Sequence, residues 1–191
     1  MKTIDAALLR DSFYEEVKAA WYVLKAQYQS DDFYAFGLFT TELASYLTLT
    51  ASTEQGLMQS ALEYAAHSSM TVEARLVSLR WTPADSPLHS DAENLLGRSQ
   101  AIRDAGPEPY DCTDEESEVS IRTVFGAFAD AVVRLDEEGV FGKGEARERL
   151  IVGIWWGDQG DEERLALATP MNSQVALDRF KKEMAAAYEY H

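Results

Sequence analysis

One cysteine, Cys112, and three histidines, His67, His89 and His191, are all that 191 residues supply of the side chains most used for nucleophilic catalysis and transition-metal binding. A single cysteine excludes an internal disulfide and a cysteine-built zinc cage. No Lys or His adjoins Cys112 to lower its pKa, so it reads as a passive thiol. The histidines form no H-E-x-x-H pair and the chain holds no G-x-S-x-G elbow. A triad would have to recruit His67 or His89 from distant segments. Long apolar runs are missing too: no stretch approaches the roughly 18 apolar residues of a membrane helix. The N-terminal segment offers only Ala6 to Leu9 before Arg10 and Asp11, which is too short for a secretion-signal core. These absences predict a soluble, cytoplasmic protein with no membrane association.

Positive charge is the third scarcity. Lys and Arg number 17 against 33 Asp and Glu, a formal net charge of -16. Nucleic-acid binding is driven by neutralising phosphates with cations, so DNA and RNA are disfavoured as partners. Two readings of the acid remain, a solvated surface that keeps the chain soluble and a complement to a basic protein partner.

The apolar content, 46%, is enough for one core, and the length fits a single domain spanning residues 1–191. Leu9, Phe13, Val17, Ala20, Leu24 and Tyr28 recur at helical spacing, with Tyr14 and Trp21 widening that face. "DDFYAFGLFT" (31–40) and "ASYLTLTA" (44–51) read as an antiparallel hairpin. Ser52 stands three residues before Gln55, a capping-box spacing, and opens a helix with Leu57, Ala61, Leu62 and Ala65 on one side. "VEARLVSLRW" (72–81) alternates like a third strand, and a short helix is expected between Asp91 and Arg103. A long helix starts at Thr113 or Asp114 and stops at Gly139. "RLIVGIWWG" reads as a central strand covered on both faces, and "RLALAT" as a last strand. "SQVALDRFKKEMAAAYEY" closes the chain as a helix with Val175, Leu177, Phe180 and Met184 inward. The expectation is an α+β domain with a mostly antiparallel sheet of about four to five strands flanked by helices.

Between Arg103 and Arg122 there is no basic residue, and "DAGPEPYDCTDEESE" (104–118) carries seven carboxylates. This acidic loop and helix start nominate Asp111, Asp114, Glu115, Glu116 and Glu118 as residues that bind a basic partner. A second candidate lies in "VFGKGEARERLIVGIWWGD" (140–158). A phosphate-cradling loop would follow a strand and place Ser or Thr after the Lys. Here a helix precedes, and Glu145 stands where a carboxylate would repel phosphate. Asp158 and Asp161 could serve a metal-dependent hydrolase as ligands or as an acid–base pair, although their spacing with Glu162 and Glu163 matches no calcium loop. "RWTPAD" (80–85) could shape a rim with Trp81 and Asp85, and is read more simply as a packing Trp and a turn. Trp155 or Trp156, if exposed, would suit a homodimer contact.

Four segments together resemble one family: "FYAFGLFT" (33–40), "STEQGL" (52–57), "LRWTPAD" (79–85) and above all "LDEEGVFGKGEARERLIVGIWWGD" (135–158). Their order and spacing are similar to the bacterial domain-of-unknown-function family DUF4303, over nearly the whole chain. Ser86 departs from the family pattern, where another aromatic often follows the Asp, which weakens a rim site at Trp81 and Asp85. The resemblance implies a small cytosolic bacterial protein, in the style of the acidic immunity proteins found beside polymorphic toxins. It defines no catalytic residue. The resulting expectation is a non-catalytic acidic module, monomer or homodimer, that needs no cofactor and neutralises a toxin by occluding a basic site.

Overall fold

The computed structural model describes residues 2–89, 91, 94–187 and 189. Outside the described residues lie His191, Tyr188 and Tyr190 at the end of the expected closing helix, and Ala92 and Glu93 in the expected helix after Asp91. In chain order the described elements are α1 (Ala6–Gln27), β1 (Phe33–Phe39), β2 (Thr48–Thr53), α2 (Glu54–Ala66), α3 (Val72–Leu79) and α4 (Gly97–Asp104). Then come α5 (Asp114–Glu137), α6 (Glu145–Arg149), β3 (Ile151–Trp155), α7 (Asp161–Ala168) and α8 (Gln174–Ala187).

The α+β class holds, but the sheet is smaller than expected and mixed. Its three strands run in the order β2-β1-β3, with β1 antiparallel to β2 and parallel to β3. Two expected strands are helices instead. In "VEARLVSLRW", the Thr71 side chain accepts from the Ala74 N–H and starts α3, and the buried residues Ala74 and Ser78 sit one helical turn apart. In "RLALAT", three carboxylates at Asp161, Glu162 and Glu163 favour the positive end of a helix, and α7 runs through the apolar residues. The strand β3 is also not central: it ends the sheet, although both its faces are buried.

Helices cover both faces of the sheet. On one face, Phe36, Leu38, Leu49, Ala51, Val152 and Ile154 pack with α1 and α5, whose Phe13 and Phe128 rings meet edge to face at 5.4 Å. On the other, Ile151, Trp155 and Phe39 pack with Leu177, Phe180 and Met184 of α8 and with Trp81. Val175 points outward, 62% exposed, against expectation, and so does Leu62. Gly37 and Gly153 are register partners. A Cβ at Gly37 would lie 2.6 Å from the Trp155 indole, and one at Gly153 also 2.6 Å, so the two glycines make the slot in which Trp155 lies. The open edge of β3 is closed by side chains. Asn172 Oδ1 accepts from the Val152 N–H (3.0 Å) and Asn172 Nδ2 donates to the Val152 carbonyl (2.7 Å), while Gln159 Nε2 donates to the Ile154 carbonyl (3.1 Å).

Candidate protein-interaction surface

The N-terminus of α5 is built as the sequence suggests. Thr113 Oγ1 accepts from the Glu116 N–H (3.3 Å), and the Glu116 carboxylate accepts from the Thr113 N–H (3.1 Å). Those backbone and hydroxyl bonds from Thr113 hold the Glu116 carboxyl below the ordinary carboxylate range. Glu116 is therefore committed to the cap. Asp111, Asp114, Glu115 and Glu118 are exposed, and Glu118 meets only Arg122, at 4.0 Å and in water.

Residues 104–121 hold no Lys or Arg, and the flanking Arg103 is turned inward. It is 2% exposed, and its guanidinium donates to the carbonyls of Ala44 (2.6 Å) and Pro107 (3.2 Å). Tyr110 stands out of this acidic tract, 72% exposed, with Val119 half-exposed on the next turn of α5. Two hollows flank the tract, and α5 is the wall between them. One, of about 370 Å³, is bounded by Ile4, Pro107 and Val119 and by the polar side chains of Lys2, Glu115 and Thr123. The other, of about 480 Å³, lies between α5 and α7, over Phe125, Gly126, Ile154 and Leu167, with Glu118 on its rim. Sequence reasoning found the carboxylates but neither hollow nor Tyr110. The excess of apolar residues on a helix otherwise charged was the available signal.

The remaining candidates take structural places. The 140–150 glycine turn is pinned by Arg147, which donates to Asp136 (2.5 Å) and to the carbonyls of Leu150 (2.8 Å) and Met171 (2.6 Å). Gly139, at φ +75°, ends α5 in a conformation that favours glycine. A hollow of about 440 Å³ lies beside this turn over Trp21, Phe33 and Phe141, three rings already packed on one another. Asp158 is exposed after β3, and Asp161 faces Arg164 at 3.8 Å. Among the described residues no three His, Cys, Asp or Glu side chains form a set that could hold a metal ion.

Trp81 is buried between Tyr34 and Phe180, and Asp85 accepts from the Tyr64 hydroxyl at 2.8 Å, so the two residues do not form a rim. Ser86 donates to the Ala51 carbonyl of β2 at 2.6 Å, a bond a phenylalanine at that position would lack. The Cys112 thiol lies on the Pro109 carbonyl at 3.7 Å, His67 is exposed, and His89 packs edge-on against Phe39. Trp155 is fully buried and unavailable to a dimer contact, whereas Trp156 is half-buried and stacked on Phe125 at 6.0 Å.

No helix among the described residues is long and apolar enough to cross a membrane. Neither a curated protein nor a solved structure matches the chain. A family model does match, the domain of unknown function DUF4303, over residues 13–173. That span takes in the hairpin, α5, the pinned glycine turn and β3, and the chain belongs to the DUF4303 family.

Proposed function

We propose that the protein is a non-catalytic binding module that engages a basic protein partner through the acidic start of α5, in the manner of an immunity protein covering a toxin's basic cleft. The observation that carries this reading is the ridge itself. Exposed Asp111, Asp114, Glu115 and Glu118 follow the exposed Tyr110 along the chain, with no cation between Asp104 and Ile121 and a hollow on either side of α5, where Lys2 and Arg122 are the cations of the two linings. Interfaces of this kind combine an aromatic anchor, which supplies buried area, with charges that steer encounter and fix register. The net charge of -16 adds a long-range field that speeds the approach of a cation-rich partner. Occlusion needs no cofactor. The reading places the protein in the bacterial cytoplasm as a monomer or homodimer.

The test is charge reversal at Asp111, Asp114 and Glu118, scored against a basic partner recovered by cross-linking from the native host and then purified. Affinity should fall by about tenfold or more, with a flatter dependence on salt. An unchanged affinity and salt dependence would remove this surface from the account.

A further inference from the structure

Along α5, Glu118, Ile121, Arg122, Phe125, Gly126 and Ala129 line the 480 Å³ hollow. Their spacing of three and four residues puts them on one helix face, and Asp114 lies one turn earlier on the same stripe. The face passes from Asp114 and Glu118 to apolar residues in about two turns, roughly 11 Å from Glu118 to the Phe125–Gly126 pair, with exposed Arg122 between them at 4.0 Å from Glu118, in water and free to swing aside for an incoming cation. Gly126 is the anomaly on it. It is exposed in the interior of a 24-residue helix, and a Cβ added there would meet no atom within 4 Å. Nothing inside the molecule requires a glycine at a position where it weakens a helix.

Resting on the reading of the acidic ridge as a partner site, we propose that this hollow receives one large apolar side chain of the same basic partner. That side chain sits on a segment whose Lys or Arg residues precede it by about two helical turns and lie over Asp114 and Glu118. A second copy of this chain is the wrong occupant, because it would bring its own acidic surface and the net charge of -16 onto the ridge. Strand addition is closed off as well, since Asn172 and Gln159 already occupy the edge of β3. The occupant must dock by side chains on the helix face.

The probe is a fluorescein-labelled synthetic helical peptide of about 16 residues, with two arginines about two turns before a phenylalanine. A matched peptide carries Ala in place of the Phe. Binding to the full chain is followed by fluorescence anisotropy for the native protein, for Gly126→Trp, and for Ala166→Trp on the opposite wall of the hollow. Circular dichroism checks that each variant is folded. The native chain should prefer the Phe peptide by about tenfold or more, and each Trp variant should lose that preference. Absence of peptide binding, equal binding of both peptides, or indifference to both Trp substitutions would overturn the proposal. If charge reversal at Asp114 and Glu118 still weakened binding in that last case, the ridge would stand without the hollow. If the Trp variants abolished binding and charge reversal left it unchanged, the ridge and the basic occupant would both fall.

Discussion

Asn172 illustrates how much one side chain can decide. Besides closing the edge of β3 at Val152, its Nδ2 donates to the Ala168 carbonyl at 2.7 Å, so one amide joins the sheet to the end of α7. Replacing it with Ala strands the Val152 N–H and carbonyl in a largely dry setting. The expected cost is about 2–4 kcal/mol in urea unfolding, together with concentration-dependent association through the opened edge. Nothing in the isolated sequence marks Asn172 or Arg147 for these tasks, because their partners, mostly backbone groups, are brought near only by the fold. Glu138 gives a pH-dependent counterpart. Hydrogen bonds from Lys18 (2.9 Å) and Tyr14 (2.8 Å) depress its carboxyl below its ordinary value of 4.5. A depressed carboxyl adds stability that is fully present above the ordinary value and is lost as pH falls through the depressed one. Glu138→Gln should therefore be less stable than the native chain at neutral pH, with the gap closing as pH falls below the ordinary value of 4.5 and through the depressed one. A gap of constant size in denaturation midpoints would show that the carboxylate charge contributes nothing there.

At the scale of elements, length decided what could be read. The 22-residue α1 and 24-residue α5 show enough turns for their apolar stripes to be unambiguous, and β1 and β3 are marked by continuous apolar runs. The eight-residue α3 and α7 are too short for period to discriminate, since alternation over a few residues fits helix or strand alike. Their caps and acidic first turns carried the decision. The same scale predicts the behaviour of α5. Gly126→Ala, at a site where a methyl group meets nothing, should raise stability by about 0.5–1 kcal/mol, read as a higher melting temperature. Thr113→Ala should lower it by about 1 kcal/mol by removing the cap that Glu116 completes. A destabilised Gly126→Ala would mean that the hollow is packed more tightly than its geometry indicates.

For the whole molecule, the architecture explains why the candidate site was only half legible. The carboxylates of 104–118 are consecutive in the chain and stand out in composition, whereas the hollow beside them joins α5 to β3 and α7, segments some 30 to 50 residues apart. Contacts of that separation leave no local pattern. Burial of Arg103 is a further global effect, since it removes from the surface the cation that directly precedes the tract. A chain at -16 also repels itself, so raising salt from about 20 mM to about 200 mM should increase its melting temperature while slowing its association with a basic partner. Opposite signs for folding and binding are the signature of one charge distribution acting on both. The central claim, that a partner lands on the acidic start of α5, is tested most directly by amide hydrogen exchange on the complex with that partner. Protection concentrated in residues 108–129 and in α7 is the predicted footprint; protection confined to α2, α3 and α8, on the other face of the sheet, would contradict it.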